Sequence, residues 1–167
     1  KGLQVFLLRR HTASAVLGGV YVFPGGKLDE ADCASDVHAF LDASPQQLLS
    51  SLGEPDALPH TAAGLYVAAV REVLEECGVL YARLKNADVL AHDAVQRQQW
   101  QQQLHGGQSF VTLLQSADLR VDTQHLAPWS RWITPIQPSV TNKRFDTRFF
   151  VAVLPSGQHP IHDNIEA

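Results

Sequence analysis

The sequence predicts an α/β or α+β fold with a mixed sheet. Three observations lead there: short apolar, β-prone runs open and close the chain, segments of helical period lie between them, and Gly/Pro turns separate the two kinds. A hydrophobic fraction of 45% against 18% charged residues, over 167 residues, fits one globular domain spanning 1–167 with a real core. No internal repeat is visible.

Leu3 to Arg9 reads as a mostly buried strand, and Val20 to Phe23 as a second one stopped by the tight turn Pro24-Gly25-Gly26. Asp36 to Leu41 and Pro45 to Leu52 read as short helices. Gly53 to His60, with two prolines, reads as a loop. Thr61 to about Tyr81 carries the strongest helical signal, with Gly78 ending its regular part. Ala91 to His105 reads as a polar helix broken by Gly106-Gly107, and Ser109 to Leu119 as another short helix. Strands follow near Ala127 to Thr134 and Arg144 to Leu154.

Composition also excludes functions. A net charge of −4 argues against a nucleic-acid polymer as partner but leaves room for one phosphorylated small molecule. Cys33 and Cys77 have neither zinc-ligand nor disulfide-framework spacing, and Cys77 falls on an apolar helix face. No run is apolar enough to span a membrane, and no signal peptide is visible, so a cytoplasmic location is expected. Targeting segments can lie outside a chain that opens at Lys1 already close to a strand. Trp100, Trp129 and Trp132 read as core or interface anchors before ring-stacking residues. His159 and His162 are three apart but form no zinc pattern.

The chemistry concentrates on one helix. Val70, Val73, Leu74 and Cys77 form an apolar face, while Glu72, Glu75 and Glu76 stack within a turn on another. Three carboxylates so close repel one another unless a cation or several partners compensate, and hard divalent cations take oxygen ligands of this kind. Arg71 beside them can pair with a carboxylate and hold it. Taken alone, the string also suits a solvated acidic face, but Gly78-Val79 follows it, and Phe23-Pro24-Gly25-Gly26 ends a strand upstream.

With those residues the sequence resembles the Nudix hydrolase family, whose signature runs Gly, five residues, Glu, seven residues, Arg-Glu-apolar, one residue, Glu-Glu, one residue, Gly-apolar. Gly26, Arg71-Glu72-Val73, Glu75-Glu76 and Gly78-Val79 match it. Two features depart from the signature: Asp32 stands at the first acidic position, and 38 residues separate it from Arg71 where the signature has seven. An insertion over about 33–63 therefore splits the box. Its prolines and two short amphipathic pieces suggest a self-packed excursion, which loop-closure entropy tolerates. The layout resembles a branch with this insertion, the peroxisomal-type coenzyme A diphosphatases and their bacterial relatives, and the stretch Arg144 to Phe150 resembles it too.

The resemblance implies a Nudix α/β fold, a mixed sheet sandwiched between helices, and a hydrolase that cleaves a small-molecule diphosphate. Glu72, Glu75, Glu76 and the Gly25 carbonyl would hold Mg²⁺ or Mn²⁺, with Glu76, Glu72 and Arg71 in catalysis. Asp32 and Gly26 would support that geometry from behind. The general base stays open between Glu72 and Glu76, with Asp146, Asp163 and Glu166 as later acids. Arg10, Arg144 and Arg148 are the expected phosphate contacts, with Arg9 and Lys143 as further basic candidates. Leu7-Leu8, Arg10 and Gly19 match part of the coenzyme A pattern, which lacks its second Arg here. The substrate stays open between coenzyme A or its acyl derivatives and other nucleoside diphosphate compounds such as ADP-ribose, NADH or dinucleotides, and a catalytically silent nucleotide sensor is a further reading. The insertion, beside the site, could serve as a lid or as the contact of a homodimer.

Overall fold

The computed structural model describes residues 2–12, 18–85, 93–136 and 144–161. Lys143, His162, Asp163 and Glu166 lie outside these residues. Strand β1 (Leu8–Arg9) pairs antiparallel with β2 (Tyr21–Val22), so the Pro24-Gly25-Gly26 turn leaves directly from the second strand. Leu3 to Leu7 are not in that ladder, and Leu3 is 96% exposed, so the expected buried strand shortens to its last two residues. Leu8 alone of this run is fully buried. Val5, Phe6 and Leu7 stay exposed beside it.

The inserted segment follows the turn. A 3-10 turn (Glu30–Cys33) leads into α1 (Ser35–His38) and α2 (Pro45–Leu52). Helix α2 shows why its sequence gave it away. Ser44 and Gln47 form a reciprocal capping box, Pro45 occupies the first turn, and Gly53 closes the helix in the left-handed conformation. The expected excursion is corrected here. Val37, Leu41 and Leu48 join the main core with Leu8, Tyr66, Val67 and Leu74, so the insertion packs inward and not as a separate bulge. The physical reason is a row of apolar residues whose burial is worth about 1.5–3 kcal/mol each.

Helix α3 (Pro59–Cys77) carries the box and is covered on nearly every side. It begins two residues earlier than its periodicity suggests because Pro59 suits the first turn. It ends at Gly78, whose N–H still reaches the Leu74 carbonyl and whose φ of 66° turns the chain out of the helix. Beyond it come β3 (Ala82–Leu84), α4 (Ala94–His105), α5 (Phe110–Ser116) and β4 (Leu119–Val121). Asp93 and Ser109 cap the two helices. Strands β3 and β4 pair antiparallel and were invisible in the sequence, since three residues are too few to establish an alternating period.

A 3-10 turn (Thr123–His125) leads to β5 (Ala127–Ile133), which forms an antiparallel hairpin with β6 (Asp146–Val151), irregular between Pro128 and Ser130. The α/β class holds. Its pairing among the described residues consists of three antiparallel ladders and one parallel bridge, between Leu41 of the insertion and Val121 of β4. Phe150 of β6 meets Tyr66 of α3 with ring centroids 4.8 Å apart, which seats the hairpin on the box helix.

No helix among the described residues is long and apolar enough to cross a membrane.

Candidate active site

The site forms where the last turns of α3 meet the Pro24-Gly25-Gly26 turn and the 3-10 turn after it. Arg71 lies at its centre. Its Nε donates to Asp32 Oδ1 at 3.0 Å, and its Nη2 donates to Asp32 Oδ2 at 2.9 Å and to the Lys27 carbonyl at 3.0 Å. Its Nη1 reaches Glu75 Oε2 at 2.8 Å and Glu72 Oε1 at 3.0 Å. The Arg71 side chain is 11% exposed and that of Asp32 2%. Burial alone would push the Arg71 pKa down. The hydrogen bond to Asp32 and the charges of Glu72, Asp32 and Glu75 outweigh it and drive the pKa well above the usual arginine value, so the cation is permanent.

Asp32 binds Arg71 as a fork and also accepts the Asp29 N–H at 2.9 Å, which completes a capping box for the 3-10 turn. Aspartate in place of glutamate is thus explained by reach, because the carboxylate already lies against Arg71. The box is bonded across its 38-residue split, so the insertion leaves the two halves joined.

The two glycines have separate duties. The Gly25 N–H donates to Glu76 Oε2 at 2.7 Å. Gly26 faces Glu72, and a Cβ built there would fall onto the Glu72 carboxylate, so only glycine lets that side chain lie against the turn. Glu72 and Glu75 therefore meet Arg71, and Glu76 meets the glycine turn. Among the described residues no three acidic, histidine or cysteine side chains already surround one point as an ion's ligands would. Arg71 spans Glu72 and Glu75, while Glu76 holds the Gly25 amide. In chemistry the donors fit a hard divalent cation: carboxylate oxygens on one helical turn beside an open glycine backbone.

Helix α4 fastens the far end of α3. Gln101 Nε2 donates to the Glu75 carbonyl at 2.7 Å, His105 Nε2 lies 3.0 Å from the same oxygen, and Arg97 Nε donates to the Gly78 carbonyl at 3.1 Å. From the C-terminal stretch, the buried Gln158 side chain exchanges two hydrogen bonds with the Leu80 backbone, and Ile161 N donates to the Cys77 carbonyl. None of these partners was legible, because a glutamine in a polar run gives no sign that its amide faces a helix end. Cys77 is core, as expected, with its Sγ 3.0 Å from the Val73 carbonyl.

The predicted phosphate contacts lie on or beside strands β1 and β6. Arg144 donates from Nε to the Thr134 carbonyl, at the loop end of the β5–β6 hairpin. Arg148 gives Nε and Nη2 to Glu54 at 3.0 and 2.8 Å, and its Nη1 lies 2.9 Å from Asp146. Asp146 also takes a fork from Arg131 at 2.8 Å on each oxygen. The hydrogen bond from Arg131 and the nearby cations hold the Asp146 carboxyl below its ordinary value. Arg10 sits just past β1, with its backbone N–H on Val20. Arg9 Nε lies 3.4 Å from the Gly19 carbonyl. Trp100 is buried in the core, while Trp129 and Trp132 are 75% and 70% exposed.

The family profile described as the NUDT19 Nudix domain matches residues 1–167. The chain belongs to this Nudix family. Its similarity extends to proteins named acyl-coenzyme A diphosphatase NUDT19: 26% identity to that of Xenopus laevis over 98% of this chain and 50% of the relative, and 26% to that of Homo sapiens over 92% and 48%. The chain spans about half the length of the curated relatives it matches. A crystal structure of a Nudix hydrolase from Alicyclobacillus acidocaldarius superposes with a TM-score of 0.71 at 28% identity, covering 96% of this chain and 66% of that one.

Proposed function

We propose that this Nudix domain is a divalent-metal-dependent hydrolase that cleaves the diphosphate linkage of coenzyme A or an acyl derivative. The observation that carries the chemistry is the buried Arg71 fork, which joins both halves of the split box and holds Glu72 and Glu75 beside the Gly25-Gly26 turn. The substrate class rests on the relatives' name, acyl-coenzyme A diphosphatase.

Glu72, Glu75, Glu76 and the Gly25 carbonyl would hold Mg²⁺ or Mn²⁺. The ion, when bound, supplies charge neutralisation at the phosphate oxygens and acidifies a coordinated water. The protein's own part begins with Arg71, which holds two glutamates and aims them. Asp32 in turn fixes the guanidinium, so the carboxylates are set before substrate arrives. The Gly25 N–H orients Glu76. Either Glu72 or Glu76 then takes the proton from the attacking water, and the anhydride bond between the two phosphates breaks. Arg10 and Arg144 remain the phosphate contacts of this proposal, whereas the fork of Arg148 is committed to Glu54.

The test is hydrolysis of coenzyme A and acetyl-coenzyme A with Mg²⁺ or Mn²⁺, beside NADH, ADP-ribose and a dinucleoside polyphosphate, with products resolved by mass. The expected products are a phosphopantetheine and 3′,5′-ADP, lost in Glu76→Gln. Cleavage of another panel member in place of coenzyme A would overturn the substrate and leave the chemistry standing.

A further inference from the structure

Two arginines face each other across the hairpin: Arg131 of β5 is in register with Arg148 of β6. Like charges directly opposite on an antiparallel pair are destabilising unless something compensates. The compensation comes from Glu54, just beyond the Gly53 cap of α2 in the insertion. Its carboxylate takes both fork nitrogens of Arg148 and also Arg131 Nη1 at 2.9 Å. Asp146 closes the other side of both arginines. The Glu54 and Arg148 side chains are 15% and 16% exposed, which separates this contact from a solvated surface pair. The hydrogen bond from Arg148 holds the Glu54 carboxyl below its ordinary value, in keeping with a permanent pair.

What the hairpin holds gives the contact its consequence. Phe149, next to Arg148, packs edge-on to Phe23 with centroids 5.9 Å apart. Phe23 leads directly into Pro24-Gly25, and the Gly25 N–H carries Glu76.

We propose that Glu54 is a positioning residue for the active site: by fastening Arg148 and Arg131 it holds Phe149 on Phe23 and so fixes the Gly25 amide that orients Glu76. The inserted segment is then the strut that sets the distance between the hairpin and the glycine turn. The inference rests on the role proposed above for Glu76 and that turn.

The test compares wild type, Glu54→Ala and the charge swap Glu54→Arg with Arg148→Glu, all well below their unfolding temperatures. Three quantities are read: amide exchange at Gly25 without metal, Mn²⁺ affinity by calorimetry, and kcat on whichever diphosphate the wild type cuts. In Glu54→Ala the Gly25 amide should exchange about tenfold faster, a factor equivalent to roughly 1.4 kcal/mol, while the amides in the middle of α3 keep their protection. Mn²⁺ binding should weaken and kcat should fall, and the swap should recover most of all three. If Glu54→Ala lowers stability but leaves Gly25 exchange and Mn²⁺ affinity at wild-type values, Glu54 is only a surface fastening and the proposal is wrong. If the wild type neither binds Mn²⁺ nor cuts any diphosphate, the functional reading falls and takes the active-site consequence with it. The exchange measurement still decides the mechanical link in that case.

Discussion

Arg71 joins Asp32, Glu72, Glu75 and the Lys27 carbonyl through one guanidinium, so its removal would leave several acids facing one another in a partly buried space. Breaking a buried pair from one side costs about 3–5 kcal/mol. Arg71→Ala is accordingly expected to lower the denaturant midpoint by that order, and the protein should no longer cleave its substrate. Arg71→Lys keeps the charge but loses the planar fork on Asp32, so an intermediate loss is expected. Equal stability of wild type and Arg71→Lys in urea would show that geometry at this residue is unimportant. Gly26 makes a sharper case, because a methyl group there must displace the Glu72 carboxylate. Gly26→Ala should cost little in stability, because the end of the flexible Glu72 side chain can swing aside. Mn²⁺ affinity measured by calorimetry should fall far more than that change in folding would suggest. Arg71 and the glutamates were legible in the sequence because that half of the signature is a short string of residues on one helix. Asp32 was singled out only through the resemblance, and its bond to Arg71, like that of the Lys27 carbonyl, was not legible, since no local pattern joins either to a residue so distant in the chain.

Among elements, the helices with caps were the readable ones. Pro45 to Leu52 is a helix with the predicted bounds because Ser44, Pro45 and Gly53 each act within a turn of themselves. Strands β3 and β4 depend on each other across the chain and showed nothing beforehand. The two strands of the β5–β6 hairpin were read from the sequence, but neither their pairing nor the attachment through Glu54 was, as that glutamate sits in a Gly/Pro-rich loop with no periodicity. The attachment has a pH signature. Glu54 and Asp146 both titrate below their ordinary values in the folded state, chiefly through hydrogen bonds from Arg148 and Arg131 respectively. Depressed folded values mean the pair stabilises fully above the unfolded carboxylate range, about pH 4–4.5. That contribution is lost as the pH falls through the lower folded values. Urea midpoints should therefore drop between about pH 5 and pH 3, and the double variant Glu54→Gln with Asp146→Asn should show a shallower slope over the same interval. Parallel pH profiles would mean that the four charges contribute nothing measurable.

At the scale of the whole molecule, the insertion decides how the chain folds. Its residues enter the main core, and it also supplies backbone partners. Val121 N donates to the Phe40 carbonyl at 2.8 Å, Asp42 N donates to the Val121 carbonyl at 3.3 Å, and the Asp42 carboxylate accepts from Thr123 and Gln124. A segment that completes a neighbouring strand and fills the core is not removable, although its sequence, with three prolines and no long periodic run, reads as an excursion. Replacing residues 35–58 by a short linker, which would cut the 38-residue split to 14 residues plus the linker, should therefore fail. It would expose Val121 and the face of α3 that α2 covers, and it would remove the large buried side chains Val37, Leu41 and Leu48, each costing on the order of 2–5 kcal/mol when truncated. Against a total stability of about 5–15 kcal/mol, that sum leaves no cooperative fold. Circular dichroism should show no sigmoidal thermal transition for the shortened chain. The milder Leu48→Ala should keep one, lowered by several degrees, with catalysis intact below it. A shortened chain that melted cooperatively and still bound Mn²⁺ would show that the box closes without the insertion, leaving the segment as an addition to a fold already complete.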